Sequence, residues 1–131
     1  MARNLGLENN IQFVLWMERN ELMKLFKQSQ VFLFPSHEGA GMVVPEALSF
    51  GLPVICLDNC GPGSFINEQC GIKIKEDTYD NTTSNLAEAM RTLYSDKAKY
   101  KGLRHGARAQ FEHVFHWDRR GEQLAKIYDS L

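Results

Sequence analysis

No apolar stretch in the 131 residues approaches the roughly 20 that a helical membrane span needs. Met1-Ala2-Arg3-Asn4-Leu5-Gly6 is not followed by an apolar signal core, so secretion is not expected. Cysteine is sparse and odd in number (Cys56, Cys60 and Cys70), which argues against a disulfide framework and for reduced thiols in a cytoplasmic compartment. The Cys56-x3-Cys60 spacing has no second matched pair or His beside it, so these are expected to be structural thiols rather than zinc ligands. Asp-x-Asp does not occur, since two residues separate Asp77 from Asp80, and no metal cofactor is expected. An excess of basic charge is absent as well: fifteen Lys+Arg against sixteen Asp+Glu leave a net charge of −1, so composition gives nucleic-acid binding no support. Repeats, low-complexity tracts and linkers are absent, and the length suits a single domain spanning residues 1–131.

What is present is an alternation of short apolar runs with amphipathic stretches. Ile11–Trp16 is β-rich and predicts a strand, and Asn20 is placed to cap a helix whose buried stripe is Leu22, Leu25 and Phe26. Val31–Phe34 runs apolar without alternation, as a strand buried on both faces of a parallel sheet does, and stops at Pro35. A helix from about Met42 to Phe50 should end at Gly51, the position of a left-handed C′ residue, with Pro53 blocking continuation. Pro53–Leu57 predicts the next strand, Asn59–Gly63 a loop, and Gly71–Lys75 a last, edge strand. The final third predicts three helices, capped by Thr83 or Ser84, by Asp96 and by Asp118. This order implies an α/β, Rossmann-like parallel sheet with helices on both faces. Residues Ala2–Leu7 resemble the tail of a helix, so the chain is expected to begin inside a domain.

One segment concentrates the chemistry. Phe34-Pro35-Ser36-His37-Glu38-Gly39-Ala40-Gly41-Met42-Val43-Val44-Pro45-Glu46-Ala47 lies just past a strand and opens a helix, where open α/β sheets place their ligands. Gly39 and Gly41 let a ligand approach backbone N–H groups, and a helix start adds free amides, so an anion such as a diphosphate fits. Glu38 and Glu46 bracket the turn with seven residues between them, and carboxylates accept hydrogen bonds from sugar hydroxyls. The dinucleotide fingerprint is broken, because Val44 occupies the place of its third Gly. On the residues alone, a plain glycine turn followed by a solvated first-turn acid remains an equal reading.

Val31–Phe34, Glu38-Gly39-Ala40-Gly41, Glu46-Ala47-Leu48 and Gly51-Leu52-Pro53-Val54-Ile55 together resemble the C-terminal, donor-binding domain of family-4 glycosyltransferases of the GT-B fold, the glycosyl transferases group 1. The resemblance covers almost the whole chain, down to His116-Trp117 and Ile127-Tyr128 in the last helix. It implies a hexosyltransferase-type enzyme of carbohydrate biosynthesis that moves a sugar from a nucleotide-diphosphate donor with retention. Glu38, as the catalytic-site residue, would contact the donor sugar; Gly39, Ala40, Gly41 and Met42 would hold the diphosphate; and Glu46 would bind the ribose. Leu15, Trp16 and Met17 would lie beside the base, and His37 adjoins the site. The resemblance also implies an acceptor held by an N-terminal domain, no metal, and a fragment inactive by itself. Trp16 follows Leu15 where the family often has Gly, Ser64 replaces a common Glu and Cys60 a common Gly. Two rivals stand beside it: a GT-B epimerase-like domain, disfavoured by the Glu-x7-Glu spacing, and a non-catalytic doubly wound binding or regulatory module.

Other features carry simpler expectations. His113 and His116 suit a helix C-terminus, and Lys97, Lys99, Lys101, Arg104 and Arg108 suit a solvated helix face or a peripheral membrane contact. Trp117, Tyr128 and Leu131 are expected to pack, with part of the last helix's apolar face left open.

Overall fold

Three short parallel strands organise the molecule, a computed structural model that describes residues 2–131. Strand β1 (Phe32–Phe34) pairs with β2 (Val54–Leu57), and β2 pairs with β3 (Gly71–Ile74), in the order β1-β2-β3. Helix α1 (Arg19–Gln28) precedes β1, α2 (Val43–Ser49) joins β1 to β2, and the one-turn α3 (Pro62–Phe65) lies between β2 and β3. Helices α4 (Tyr79–Ser95) and α5 (Lys97–Gln110), a π-helical turn (Phe111–Phe115) and α6 (Trp117–Asp129) follow.

Alternation along β2 divides the core in two, because successive strand side chains point to opposite faces. Val54 and Cys56 pack with Phe26 of α1, with Val44, Ala47 and Leu48 of α2, and with Ile66, Cys70 and Ala107. Ile55 and Leu57 pack on the other face with Ile74, with Ala89 and Leu93 of α4, and with Leu103 of α5. Both faces of the sheet are therefore covered by helices, as the alternating pattern predicts. Gly51 ends α2 at φ +67°, the left-handed conformation expected of it. Asp96 caps α5 by accepting from the Lys99 N–H at 2.8 Å.

Several expectations fail for identifiable reasons. Ile11–Trp16 is not a strand: it joins no sheet, and Phe13 and Trp16 are 79% and 75% exposed. A strand persists only when its N–H and C=O groups find an edge, and among the described residues none pairs with this segment. The β1 run is half-buried on the Phe32 and Phe34 face, which packs against the Val54–Cys56 side of the core, and exposed at Leu33 on the other; the doubly buried strand is β2. Helix α1 begins at Arg19 with Glu18 in the cap position, so Asn20 sits inside the first turn. Thr78, not Thr83 or Ser84, caps α4 by accepting from the Asn81 N–H, and Asp77 braces that turn through the Asn81 side chain at 2.7 Å. His116, not Asp118, caps α6, accepting from the Asp118 N–H at 3.4 Å; this is a helix N-terminus rather than the C-terminus expected for that histidine. Trp117, Tyr128 and Leu131 are exposed rather than packed. Part of the loop expected at Asn59–Gly63 is taken up by α3.

Candidate functional site

The segment after β1 folds as a loop over Pro35–Met42 and turns into α2 through Gly41 at φ +58°. The Gly41 carbonyl accepts from the Val44 N–H at 2.8 Å, which closes the first turn. Among the described residues, the N–H groups of Gly39, Ala40, Gly41 and Met42 donate to no backbone acceptor. Gly39, Ala40 and Met42 are exposed, whereas Gly41 is buried against Pro62. The chain thus presents a short run of unpaired amide donors at the C-terminal end of the sheet. Because α2 is only seven residues long, the free donors here are the loop amides rather than the end of a long helix.

The two glutamates lie on either side of this run. Glu38 is exposed in the loop, its own carbonyl oxygen close to Gly61 of the next loop. Glu46 stands in the first turn of α2, where its Oε1 accepts from Arg19 Nη2 at 2.9 Å; the two side chains are 35% and 70% exposed. Among the described residues, Glu46 Oε2 has no hydrogen-bond partner. His37 Nε2 lies 3.1 Å from Glu76 Oε2, so the loop is tied to the segment after β3. Trp16, Leu15 and Met17 belong to the extended segment before α1, and none of them lines the cleft beside Glu46.

That cleft was not foreseen from the sequence. It has a volume of about 720 Å³ and is walled by Met42, Glu46, Phe65, Phe111, Phe115 and Trp117, with Arg19 and Arg120 at its margin. The π-helical turn builds one wall, with Phe115 meeting Phe65 edge-on at 5.2 Å and Arg120 lying over the Phe115 ring. The available signal was the Phe111/Phe115 i, i+4 spacing, which a regular helical period assigns to a buried stripe. A second cleft, of about 590 Å³, holds Lys101, Arg104, His105 and Arg108 around the C-terminal end of α2. Arg104 donates to the Gly51 carbonyl, and Arg108 to the Ser49 carbonyl and to Glu112. Part of the basic run therefore satisfies helix-end carbonyls instead of lying free in solvent.

Burial pushes the Cys56 thiol up to about 11 and raises Cys70 as well, while Cys60 is exposed. Cys56 and Cys70 are accordingly packed thiols whose neutral form burial favours. Among the described residues, no group of three or more His, Cys, Asp or Glu side chains is placed to hold a metal ion. Among the same residues, no helix is long and apolar enough to cross a membrane.

The model of the family described as glycosyl transferases group 1 matches residues 1–110. The chain belongs to this family. Over 78 residues, 58% of the chain, it is 35% identical to the lipopolysaccharide glucosyltransferase WaaG of Escherichia coli (strain K12), of which it covers 20%. Against a GDP-mannose-dependent monoacylated alpha-(1-6)-phosphatidylinositol monomannoside mannosyltransferase of Corynebacterium glutamicum it is 24% identical over 132 residues, 95% of this chain and 34% of that one. The solved structure of WaaG superposes with a TM-score of 0.76 at 26% identity, over 96% of this chain and 33% of that one. Anabaena Alr3699/HepE, solved in complex with UDP and glucose, superposes with a TM-score of 0.77 at 21% identity, over 99% of this chain and 35% of that one. This group 1 chain has the GT-B glycosyltransferase architecture in its parallel sheet and helices. It spans between a fifth and about a third of the length of these relatives.

Proposed function

We propose that this chain is the donor-binding part of a retaining, hexosyltransferase-type glycosyltransferase and that it binds a nucleotide-diphosphate sugar on the Glu38–Glu46 segment. The observation that carries the reading is the run of unpaired N–H groups at Gly39–Met42, bracketed by two carboxylates at the C-terminal end of a parallel sheet. Phosphate oxygens need donors and repel carboxylates; sugar hydroxyls are bound well by carboxylates. The diphosphate therefore goes to the amides, the ribose hydroxyls to Glu46 and the donor-sugar hydroxyls to Glu38.

The pairing of Arg19 with Glu46 does not block this assignment. Both side chains are substantially exposed, and an exposed pair of this kind contributes only about 0.2–1 kcal/mol, less than hydrogen bonds from a hydroxyl pair to a carboxylate. As the bond from the sugar to the diphosphate breaks, negative charge grows on the leaving oxygen. Amides already aimed at that oxygen stabilise the charge without reorganising, which is the largest contribution this loop can make to catalysis. Attack on the same face of the sugar, assisted by the leaving phosphate, gives retention without a covalent intermediate on Glu38. The acceptor would be bound by the rest of the complete enzyme, and this chain alone would not transfer sugar efficiently. The relatives support sugar transfer; one of them is a GDP-mannose-dependent mannosyltransferase.

The test is a titration of the chain with UDP, GDP and ADP, followed through backbone amide shifts. Saturable shifts at Gly39–Met42, weakened in Glu46→Ala and larger for one base, are expected. No shift at millimolar ligand, or shifts elsewhere only, would overturn the donor-site assignment in favour of a non-catalytic binding module.

A further inference from the structure

The loop that offers the amides has few bonds of its own, yet it holds a defined shape. Its support comes from residues 58–62, the loop after β2 and the first residue of α3. Asn59 Nδ2 donates to the Ser36 carbonyl at 3.0 Å across twenty-three residues of sequence. Gly61 lies so close to the same loop that a Cβ built on it would stand 1.9 Å from the Glu38 carbonyl oxygen. Pro62 fills the space beside Gly41, where a Cβ would meet its ring and backbone at 3.1–3.2 Å. The second loop therefore touches the first at its beginning, at Glu38 and at its last glycine.

One detail separates this support from ordinary packing. Asn59 Oδ1 is buried and has no hydrogen-bond partner among the described residues. A buried acceptor left unpaired costs stability, so Asn59 is a poor choice for holding the fold together. Exchanging its oxygen and nitrogen would set Oδ1 against the Ser36 carbonyl, two acceptors facing each other, so the donor orientation is fixed by its neighbour. Only its donor is used, and that donor acts on the backbone two residues before Glu38.

We propose that Asn59 and Gly61 are positioning residues for the diphosphate loop: Asn59 pins Ser36, and Gly61 leaves the room that lets Glu38 and Gly39–Met42 take their ligand-facing conformation. This rests on the reading of that loop as the diphosphate site. Neither residue needs to touch the ligand.

The experiment uses the 15N-labelled 131-residue chain, Asn59→Asp (nearly the same shape, no donor), Asn59→Ala and Gly61→Ala. Two quantities are measured on each folded variant: 15N relaxation of His37–Met42 without ligand, and the affinity for pyrophosphate. The expected result is a loop that becomes mobile on the nanosecond timescale in Asn59→Asp, while relaxation in α4 and α5 is unchanged. Pyrophosphate affinity should fall about three- to tenfold, the range implied by one lost hydrogen bond that had held the loop ready. Asn59→Ala should behave like Asn59→Asp, which excludes carboxylate repulsion as the cause. Loop relaxation identical to the parent chain in both Asn59 variants would overturn the proposal. If the parent chain fails to bind pyrophosphate, the diphosphate reading fails, and the relaxation comparison still decides whether Asn59 positions the loop. Gly61→Ala adds a steric arm; should it not fold, the Asn59 pair decides alone.

Discussion

Replacing Glu46 by Gln isolates the contact that distinguishes a nucleoside diphosphate from a bare diphosphate. The substitution keeps the size and shape of the side chain and removes its charge. In the free chain it breaks the Arg19–Glu46 pair, whose partners are 70% and 35% exposed. An exposed pair is worth about 0.2–1 kcal/mol, so stability should fall by no more than that. In the complex, hydroxyl donors lose a charged acceptor, worth about 1.5–3 kcal/mol, and keep a neutral one, worth about 0.5–1.5 kcal/mol. The difference, roughly 1–1.5 kcal/mol, is a five- to tenfold weaker nucleoside diphosphate. Pyrophosphate has no hydroxyls and should bind the variant as well as the parent, or slightly better because a nearby negative charge is gone. Isothermal titration of both ligands against both chains measures this. Equal losses for the two ligands, or no loss for the nucleoside diphosphate, would refute the assignment of Glu46 to the ribose.

Leu48 is wholly buried between α2 and the sheet, so Leu48→Ala should cost about 2–5 kcal/mol in urea unfolding; a loss under 1 kcal/mol would contradict the packing described. Cys56 keeps its proton in the folded chain from its ordinary value of 9.0 up to about 11, so the unfolded chain ionises first; stability should hold below about pH 9 and decline toward pH 11, by up to about 3 kcal/mol. Cys56→Ala should lower the plateau and flatten that decline, and an unchanged slope in urea melts across this range would show that other groups cause it. Asp96→Ala removes the α5 cap and should cost about 0.5–2 kcal/mol by thermal melting, with Asp96→Asn retaining most of it.

The elements legible in the sequence were those fixed by local chemistry. Gly51 and Pro53 end α2 because one supplies a left-handed residue and the other forbids helix, whatever surrounds them. Asp96 and the alternating Gly71–Ile74 are similarly local signals. The errors arose where tertiary context decides. Ile11–Trp16 has strand composition but, among the described residues, joins neither edge of the sheet, and the apolar Val31–Phe34 run could not reveal which strand occupies the centre of the sheet. The glycine turn and its two glutamates were visible as a motif. The support from Asn59 and Gly61, the Arg19–Glu46 pair and the aromatic cleft were not, because each joins residues distant in sequence.

The most direct test of the central claim is a crystal structure of the chain with a nucleoside diphosphate bound. The phosphates should lie within hydrogen-bond distance of the Gly39–Met42 amides, with the ribose hydroxyls on Glu46. A diphosphate found instead in the basic cleft of Lys101, Arg104, His105 and Arg108, at the other end of α2, would contradict it.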